Sequence, residues 1–406
     1  MDVALVGIGN SRWIAGVQYH HSLLFGNSLL PPAERLSFRV YLEEDVHSAV
    51  DYAPVRGLAH GIWSTDFFPR APRPFTRKLR KMARIIVRQR RLPQFPRSNL
   101  PALVRKHGAQ VLFTANGLEA DVAIPQVCWI PDFQHLNHPE FFSDEELTRR
   151  DAAFARIFSD SARIVVSNQC GYEDAVRHFP TARDRVVVLP FVMFLGEDWR
   201  KPDAHAAARR LGLPRKFVLF PAQFWKHKNH ACLFEAVRQV RERPGCEDFV
   251  LVCTGHPHDT RAPDHAPKLR NFIREHRLED AIHILGLIPR EDQVQLMRAA
   301  AAIAQPSFFE GWSALVEESR SLGNIIFASD IPMHREQACE GMHLFDPNSP
   351  ESLADLCASL WPGLPPGPDD AREKAAERAY TRRIADFARN FMNICREVAR
   401  ERPWPS

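Results

Sequence analysis

The chain has 406 residues, 45% of them hydrophobic and 25% charged, with a formal net charge of +4. That balance excludes a disordered chain, and no apolar run approaches the roughly eighteen residues of a bilayer-spanning helix. The 8 cysteines stand singly without a C-x-x-C pair, which argues against a disulfide scaffold or structural zinc and for reduced thiols in the cytoplasm.

The opening run M-D-V-A-L-V-G-I-G-N lacks the basic region of a secretory signal and reads as structure. Val3 to Val6 predicts a buried strand, followed by a glycine-rich turn and a helical pattern through Val17, Leu23 and Leu24. The turn is not a dinucleotide fingerprint. No glycine stands three residues beyond Gly9, and the next acidic residue, Glu34, lies past Pro31 and Pro32. Phe38 to Leu42 predicts a strand, whereas Pro54, Gly57 and Gly61 mark loops.

Residues 70–97 hold 11 Arg or Lys and no acid, and Phe75, Leu79, Met82 and Ile86 fall there at helical spacing. This stripe is expected to dock peripherally on an anionic membrane surface. Its alternative is to pack on the N-terminal domain with its arginines solvated. No motif of a nucleic-acid reader accompanies it, so no nucleic-acid partner is expected.

Further strands are predicted at Gln110 to Thr114, in the apolar start of V-C-W-I-P-D-F-Q-H-L-N-H-P-E-F-F at 127–142, at Ile164 to Ser167 and at Val186 to Phe191. A polar connector follows, L-G-E-D-W-R-K-P-D at 195–203. Lys216 to Phe220 resumes the alternation, which runs through Phe249 to Thr254, Ile282 to Leu285, Ala299 to Ala304 and Ile325 to Ala328. Two successive arrays of strand and helix predict an α/β protein with two facing parallel-sheet domains, 1–195 and 216–380, joined by a linker at 196–215. After a Pro/Gly hinge at 361–370, Ile384, Phe387, Phe391, Ile394 and Val398 form one apolar stripe.

The chemistry concentrates in Q-P-S-F-F-E-G-W-S-A-L-V-E-E-S-R-S-L-G at 305–323. A strand closes at Gln305-Pro306 and a helix runs from near Trp312 to Gly323. Ligands bind at the carboxyl ends of strands in open α/β sheets, and a helix N-terminus attracts phosphate. Glu310 and Glu318 are suited to accept hydrogen bonds from the hydroxyls of a sugar and a ribose. The alternative is that Glu310 stabilises the helix end while Glu317 and Glu318 form a solvated face. In F-P-A-Q-F-W-K-H-K-N-H at 220–230, Lys228 stands between a strand end and a helix start, where an ammonium meets a diphosphate as a point charge.

These two stretches, with L-G-L-I-P at 285–289, S-D-I-P-M-H-R-E-Q at 329–337 and W-I-P-D-F-Q-H at 129–135, resemble blocks of the retaining glycosyltransferases of family four, the glycosyl transferases group 1. The likeness is specific over about 215–350, patchy before it, and mannosyltransferase-like. It implies the GT-B fold of two facing Rossmann-like domains, with a C-terminal helix, 381–406, packing back on the N-terminal domain. It implies transfer of a sugar, mannose being one candidate, from a GDP- or UDP-sugar to a glycan or lipid-linked acceptor in surface polysaccharide biosynthesis. A metal-independent reaction is implied as well, and the chain has no D-x-D pair.

The resemblance places Glu310 on the donor sugar, Gly311, Trp312, Ser313 and Ala314 along sugar and diphosphate, Glu318 on the ribose, and the loop of Leu287 around the base. It makes Gly7, Gly9, Arg12 and Gly16 candidates to approach the diphosphate or the acceptor. Two positions depart from the pattern. The histidine of the usual His-Asp pair is Pro131, which leaves Asp132 with His135 as the nearest substitute, unless His135 and His138 merely cap backbone groups. The arginine expected with Lys228 is Gln223, which leaves Lys226, Lys228 and Arg12 to neutralise the leaving group. Glu310, Lys228, Asp132 and His135 are the catalytic candidates. Two alternatives stay open: a GT-B-shaped epimerase or phosphorylase, and a catalytically impaired relative acting as a sugar-nucleotide-binding or scaffold subunit.

Overall fold

The computed structural model describes residues 1–8, 14–43, 49–65, 99–257, 259 and 261–401. Gly9, Arg12 and the basic stretch 70–97 lie outside the described residues.

Strands β1 (Asp2–Val6), β2 (Ser37–Glu43), β3 (Gly61–Thr65), β4 (Val111–Ala115), β5 (Gln126–Ile130), β6 (Arg163–Val166) and β7 (Val186–Val188) form one parallel sheet in the order β3-β2-β1-β4-β5-β6-β7. Around it lie α1 (Ile14–Ser28), α2 (Leu100–Lys106), α3 (Gln134–Asn137), α4 (Asp144–Asp160) and α5 (Gln169–His178). Val3 pairs with Phe38 on one side and Val111 on the other, and Val3, Ala4 and Leu5 are all fully buried. Such continuous apolar strands are what a sheet covered on both faces requires.

The second sheet contains β8 (Val218–Pro221), β9 (Leu251–Thr254), β10 (Ile282–Gly286), β11 (Ala302–Gln305), β12 (Ile326–Ser329) and β13 (Met342–Phe345), in the order β10-β9-β8-β11-β12-β13. Its helices are α6 (Ala204–Arg210), α7 (His230–Arg241), α8 (His265–Glu275), α9 (Arg290–Ala299), α10 (Ala314–Leu322), α11 (Pro332–Glu336) and α12 (Pro350–Leu360), and α13 (Asp370–Glu401) ends the described chain. Strand order reverses between β1 and β4 in one sheet and between β8 and β11 in the other. Loops leaving neighbouring strands diverge at such points and open a crevice. The β8 and β11 loops carry Lys228 and Glu310.

Several boundaries depart from the sequence reading. β3 occupies a stretch that Gly57 and Gly61 marked as loop, and both it and β13 are edge strands, which need only one neighbour. The strand expected over Val186 to Phe191 stops at Val188, and the chain continues unpaired and buried through Phe191 to Leu195. The apolar run from Ala299 splits, because α9 extends to Ala299 and β11 begins at Ala302.

Helix α13 is continuous from Asp370, and its predicted stripe is buried, with Ile384, Phe391 and Val398 at 0% exposure. It lies against α1 so closely that a Cβ on Gly26 would come within 2.3 Å of the Ile384 carbonyl oxygen. Phe391 meets Phe113 of β4 edge-on at 5.0 Å. The same helix grips the second domain: Arg383 bonds Glu317 of α10 at 2.6 Å, and Glu373 bonds the buried Arg298 of α9 at 2.7 Å. The protein thus has two facing Rossmann-like domains with a helix crossing back from the second to the first. No described helix is long and apolar enough to cross a membrane.

Candidate active site

A cleft of about 450 Å³ lies between the domains. Its second-domain wall starts at β8. After Pro221 the chain passes Gln223 and Trp225 into a short 3-10 turn, Lys226–Lys228, and reverses at Asn229, whose φ of 59° lets α7 start at His230. The Asn229 amide donates to the carbonyls of Pro306 at 3.1 Å and Pro347 at 2.9 Å, tying this loop to the one after β11.

There the Lys228 ammonium donates to Glu310 Oε1 at 2.7 Å. Gln305 Nε2 donates to the same oxygen at 2.9 Å and to Ser313 Oγ at 2.7 Å. The two charged side chains are 17% and 9% exposed, so their attraction is little screened by water. Burial, the largest influence, would raise the Glu310 carboxyl, but the Lys228 ammonium, with smaller contributions from His227 and the Ser307 hydroxyl, holds the group below the usual carboxylate range. His227 beside them is driven down to about 4 by burial and then by Lys228, so it is neutral near pH 7.

Ser313 caps α10, its Oγ accepting from Val316 N–H at 3.3 Å. Its own N–H, a candidate donor to ligand, instead donates to Gln337 Oε1 at 3.1 Å, and Gln337 returns a bond to the Ser313 carbonyl at 3.1 Å. Ala314 and Leu315 begin the helix at the cavity wall, and helix geometry leaves their N–H groups for a ligand. Farther along, Glu318 bonds Arg290 of α9 at 2.6 Å, and both line the cleft with Ile288. Glu317 points the other way, 1% exposed against Arg383, so the two glutamates do not form a solvated face.

The first domain reaches this loop directly. A Cβ on Gly311 would stand 2.3 Å from the Pro131 carbonyl oxygen and 2.7 Å from Asp132 Cβ, so only glycine fits between the domains here. Asn168, the N-cap of α5, accepts from Gly171 N–H with Oδ1 and donates from Nδ2 to the Gly311 carbonyl. Trp312 Nε1 donates to the Phe191 carbonyl at 3.1 Å, and Glu336 accepts from Gln169 N–H at 2.8 Å. The loop bearing Glu310 is held from both sides.

Glu310, Lys228, Asp132, Gln223, Gly311, Trp312, Ser313, Ala314 and Glu318 therefore share one cleft. His135 does not join them. It is 1% exposed inside the first domain, its ring 4.4 Å from Phe154, because α3 turns it inward toward α4. Lys226 faces a neighbouring cavity, since successive residues of the 3-10 turn diverge, and Leu287 is 67% exposed while its neighbour Ile288 lines the cleft.

Sequence reading passed over Gln305, Asn168, Gln337, Arg290 and His227. Gln305 carried a signal: a polar residue ending an apolar strand, here 1% exposed. Asn168 stands just past a predicted strand and Gln337 in a quoted block, but their partners lie 143 and 24 residues away in the chain.

Residues 203–381 match the family model described as glycosyl transferases group 1. Among curated proteins, the chain is 27% identical over 205 residues to the D-inositol 3-phosphate glycosyltransferase of Corynebacterium glutamicum, covering 48% of each chain. The Corynebacterium efficiens protein of that name is 27% identical over 236 residues, 56% of this chain and 52% of the relative. The chain spans about half the length of the curated relatives it matches. Among solved structures, Anabaena HepE in complex with UDP and glucose superposes with a TM-score of 0.66 at 14% identity, covering 98% of this chain and 100% of the other. Sucrose-phosphate synthase of Thermosynechococcus elongatus gives 0.65 at 14% identity, covering 99% and 98%. The fold is that of the GT-B glycosyltransferases.

Proposed function

We propose that the protein is a retaining, metal-independent glycosyltransferase that moves a hexose from a nucleoside diphosphate sugar to a hydroxyl acceptor. One observation carries this reading: the Lys228–Glu310 pair stands at the N-terminus of α10, where strand order reverses, in a cleft shared by two parallel-sheet domains. The diphosphate would lie across Lys228 and the free N–H groups of α10, with the sugar over Glu310 and Gln305. Glu318 and Arg290 would take the ribose end.

In this arrangement the bond between the anomeric carbon and the phosphate oxygen breaks as Lys228 and the helix dipole stabilise the departing charge. The acceptor hydroxyl attacks the same face of an oxocarbenium-like sugar and loses its proton to the leaving phosphate. Positioning and electrostatics supply the catalysis. Solved neighbours described in complex with UDP and UDP-glucose support a nucleotide-sugar donor, with GDP-mannose as the second candidate. Surface polysaccharide biosynthesis and membrane docking through 70–97 belong to the same proposal and rest on the sequence.

A scaffold role is the second reading, favoured by Gln223 lining the cleft where the family pattern has an arginine. Calorimetric titration with UDP and GDP, followed by transfer and hydrolysis assays with UDP-glucose and GDP-mannose in EDTA, separates them. Turnover in EDTA is expected. Binding without turnover would favour the scaffold, and turnover restored only by a divalent cation would overturn the metal-independent mechanism.

A further inference from the structure

We propose that a second cavity beside the cleft is a glycan subsite, holding the saccharide unit next to the one at the transfer centre; this rests on the glycosyltransferase reading above. The cavity, about 360 Å³, lies across the 225–228 turn from the cleft, and Trp225 and His227 line both spaces. A volume of that size falls in the range of about 300–1,000 Å³ typical of ligand pockets. A chain of sugars leaving the cleft over Trp225 enters it.

Both domains build its wall. Glu140, Phe141 and Glu146 come from the segment after β5, and Lys226, Asp259 and Arg261 from the second domain. Two of its three carboxylates are fixed in place. Asp259 accepts from the N–H groups of Lys226 at 3.2 Å and Arg261 at 2.9 Å. Glu146 belongs to the capping box of α4 and reaches Arg261 across the domain gap at 3.6 Å. The Arg261 guanidinium is itself held 4.4 Å over the Phe142 ring.

The chemistry of this wall selects among ligands. Three carboxylates outweigh Lys226 and Arg261, so a phosphate or another nucleotide is repelled, and so many charges offer no seat to a lipid chain. Sugar hydroxyls both donate and accept, which suits a wall carrying fixed acceptors and cationic donors side by side. The apolar C–H face of a pyranose packs on an aromatic ring, and Trp225 and Phe141 supply two. The structure therefore assigns this cavity to a neutral oligosaccharide rather than to a charged or lipid tail.

The test is direct binding of mannose, mannobiose, mannotriose and the matching glucose oligomers to the UDP-saturated full chain. Binding is read by calorimetry or saturation-transfer NMR, with UDP affinity measured alongside for every variant. At least one disaccharide is expected to bind about tenfold or more tightly than its monosaccharide. Ala262→Phe, which fills the cavity from its rim, and Phe141→Ala should each bring that ratio close to one. A ratio near one in the parent protein, no oligosaccharide binding, or a ratio kept by both UDP-binding variants overturns the subsite. Failure of the parent protein to bind UDP or GDP would strike instead at the glycosyltransferase reading.

Discussion

The two walls of the cleft are built on one plan, loops at the carboxyl ends of a parallel sheet, yet they hold their chemistry differently. In the second domain, charged groups sit on the loops that leave strand ends or on the helices those loops lead into, and each is paired before any ligand arrives: Lys228 with Glu310, Arg290 with Glu318. Along the first domain, the described polar lining residues are the amides Gln18 and Gln134 and the carboxylate Asp132, set among Trp129, Phe191, Met193, Ala15 and Pro131. A paired wall is preorganised for a diphosphate sugar, whose charge is fixed. A wall of amides suits a neutral acceptor and contributes mainly by closing on the donor loop.

The largest expected effect tests the paired wall. Glu310→Ala and Lys228→Ala should each lower transfer at least about tenfold, the scale of one lost transition-state contact of roughly 1.4 kcal/mol. Each change also strands its former partner in a poorly solvated site, so thermal unfolding must accompany the kinetics. Full turnover in folded Glu310→Ala protein would remove the central assignment.

Closure is tested next. Asn168→Asp keeps the oxygen that caps α5 but removes the donor to the Gly311 carbonyl and turns a charge toward it. The expected result is a kcat lower by about three- to tenfold with UDP affinity unchanged, because Asn168 positions the Glu310 loop without touching nucleotide. Asn168→Ala should add a loss of stability on the order of 1 kcal/mol from the missing cap. A shift in UDP affinity matching the loss in turnover would place Asn168 on the binding side.

The contrast between the walls also explains what the sequence disclosed. The positions of Lys228, Glu310 and Glu318 were legible because they depend on local spacing: each stands a few places after an apolar strand or just past the first turn of the helix that follows. The two sheets were legible for the same reason, through apolar runs at regular intervals. Asn168, Gln337 and Phe191 act through partners on other elements, and pair choice between elements leaves no periodic trace. His135 failed because α3 is only four residues long, Gln134–Asn137, and a one-residue change of phase decides whether a side chain meets the cleft or the core. Lys226 failed in the same way within its 3-10 turn.

Acidification should affect stability before it affects the Lys228–Glu310 pair. His227 and His21 are both held near 4 by burial, with Lys228 adding to the effect at His227 and Arg290 at His21. An unfolded histidine takes up a proton near pH 6.5, whereas these two resist until about pH 4. The unfolded state therefore binds more protons in that window, and the stability present above pH 6.5 declines as the pH falls through it. Unfolding midpoints between pH 7.5 and 4.5 should drop monotonically, and His227→Gln should flatten the slope. A midpoint that rises on acidification would contradict the buried neutral state.

The smallest expected effect is at His135, and it sharpens the comparison most. The ring is buried edge-on against Phe154, burial lowers its proton affinity, and neither nitrogen has a hydrogen-bond partner among the described residues. The nearest carboxylate, Asp151, lies 3.7 Å from Nε2 and is itself 62% exposed, so it neither bonds the ring nor holds a charge on it. Leucine has a similar volume and brings no polar atom, which removes groups whose burial without partners costs about 1–3 kcal/mol each. His135→Leu should therefore leave transfer within about twofold of the parent and the unfolding midpoint equal or higher. Asp132→Ala, three residues earlier but on the cleft wall, should lower transfer severalfold while leaving UDP affinity intact. If folded His135→Leu protein instead lost tenfold or more in transfer while Asp132→Ala did not, the first-domain wall would have to be redrawn with the histidine facing the acceptor.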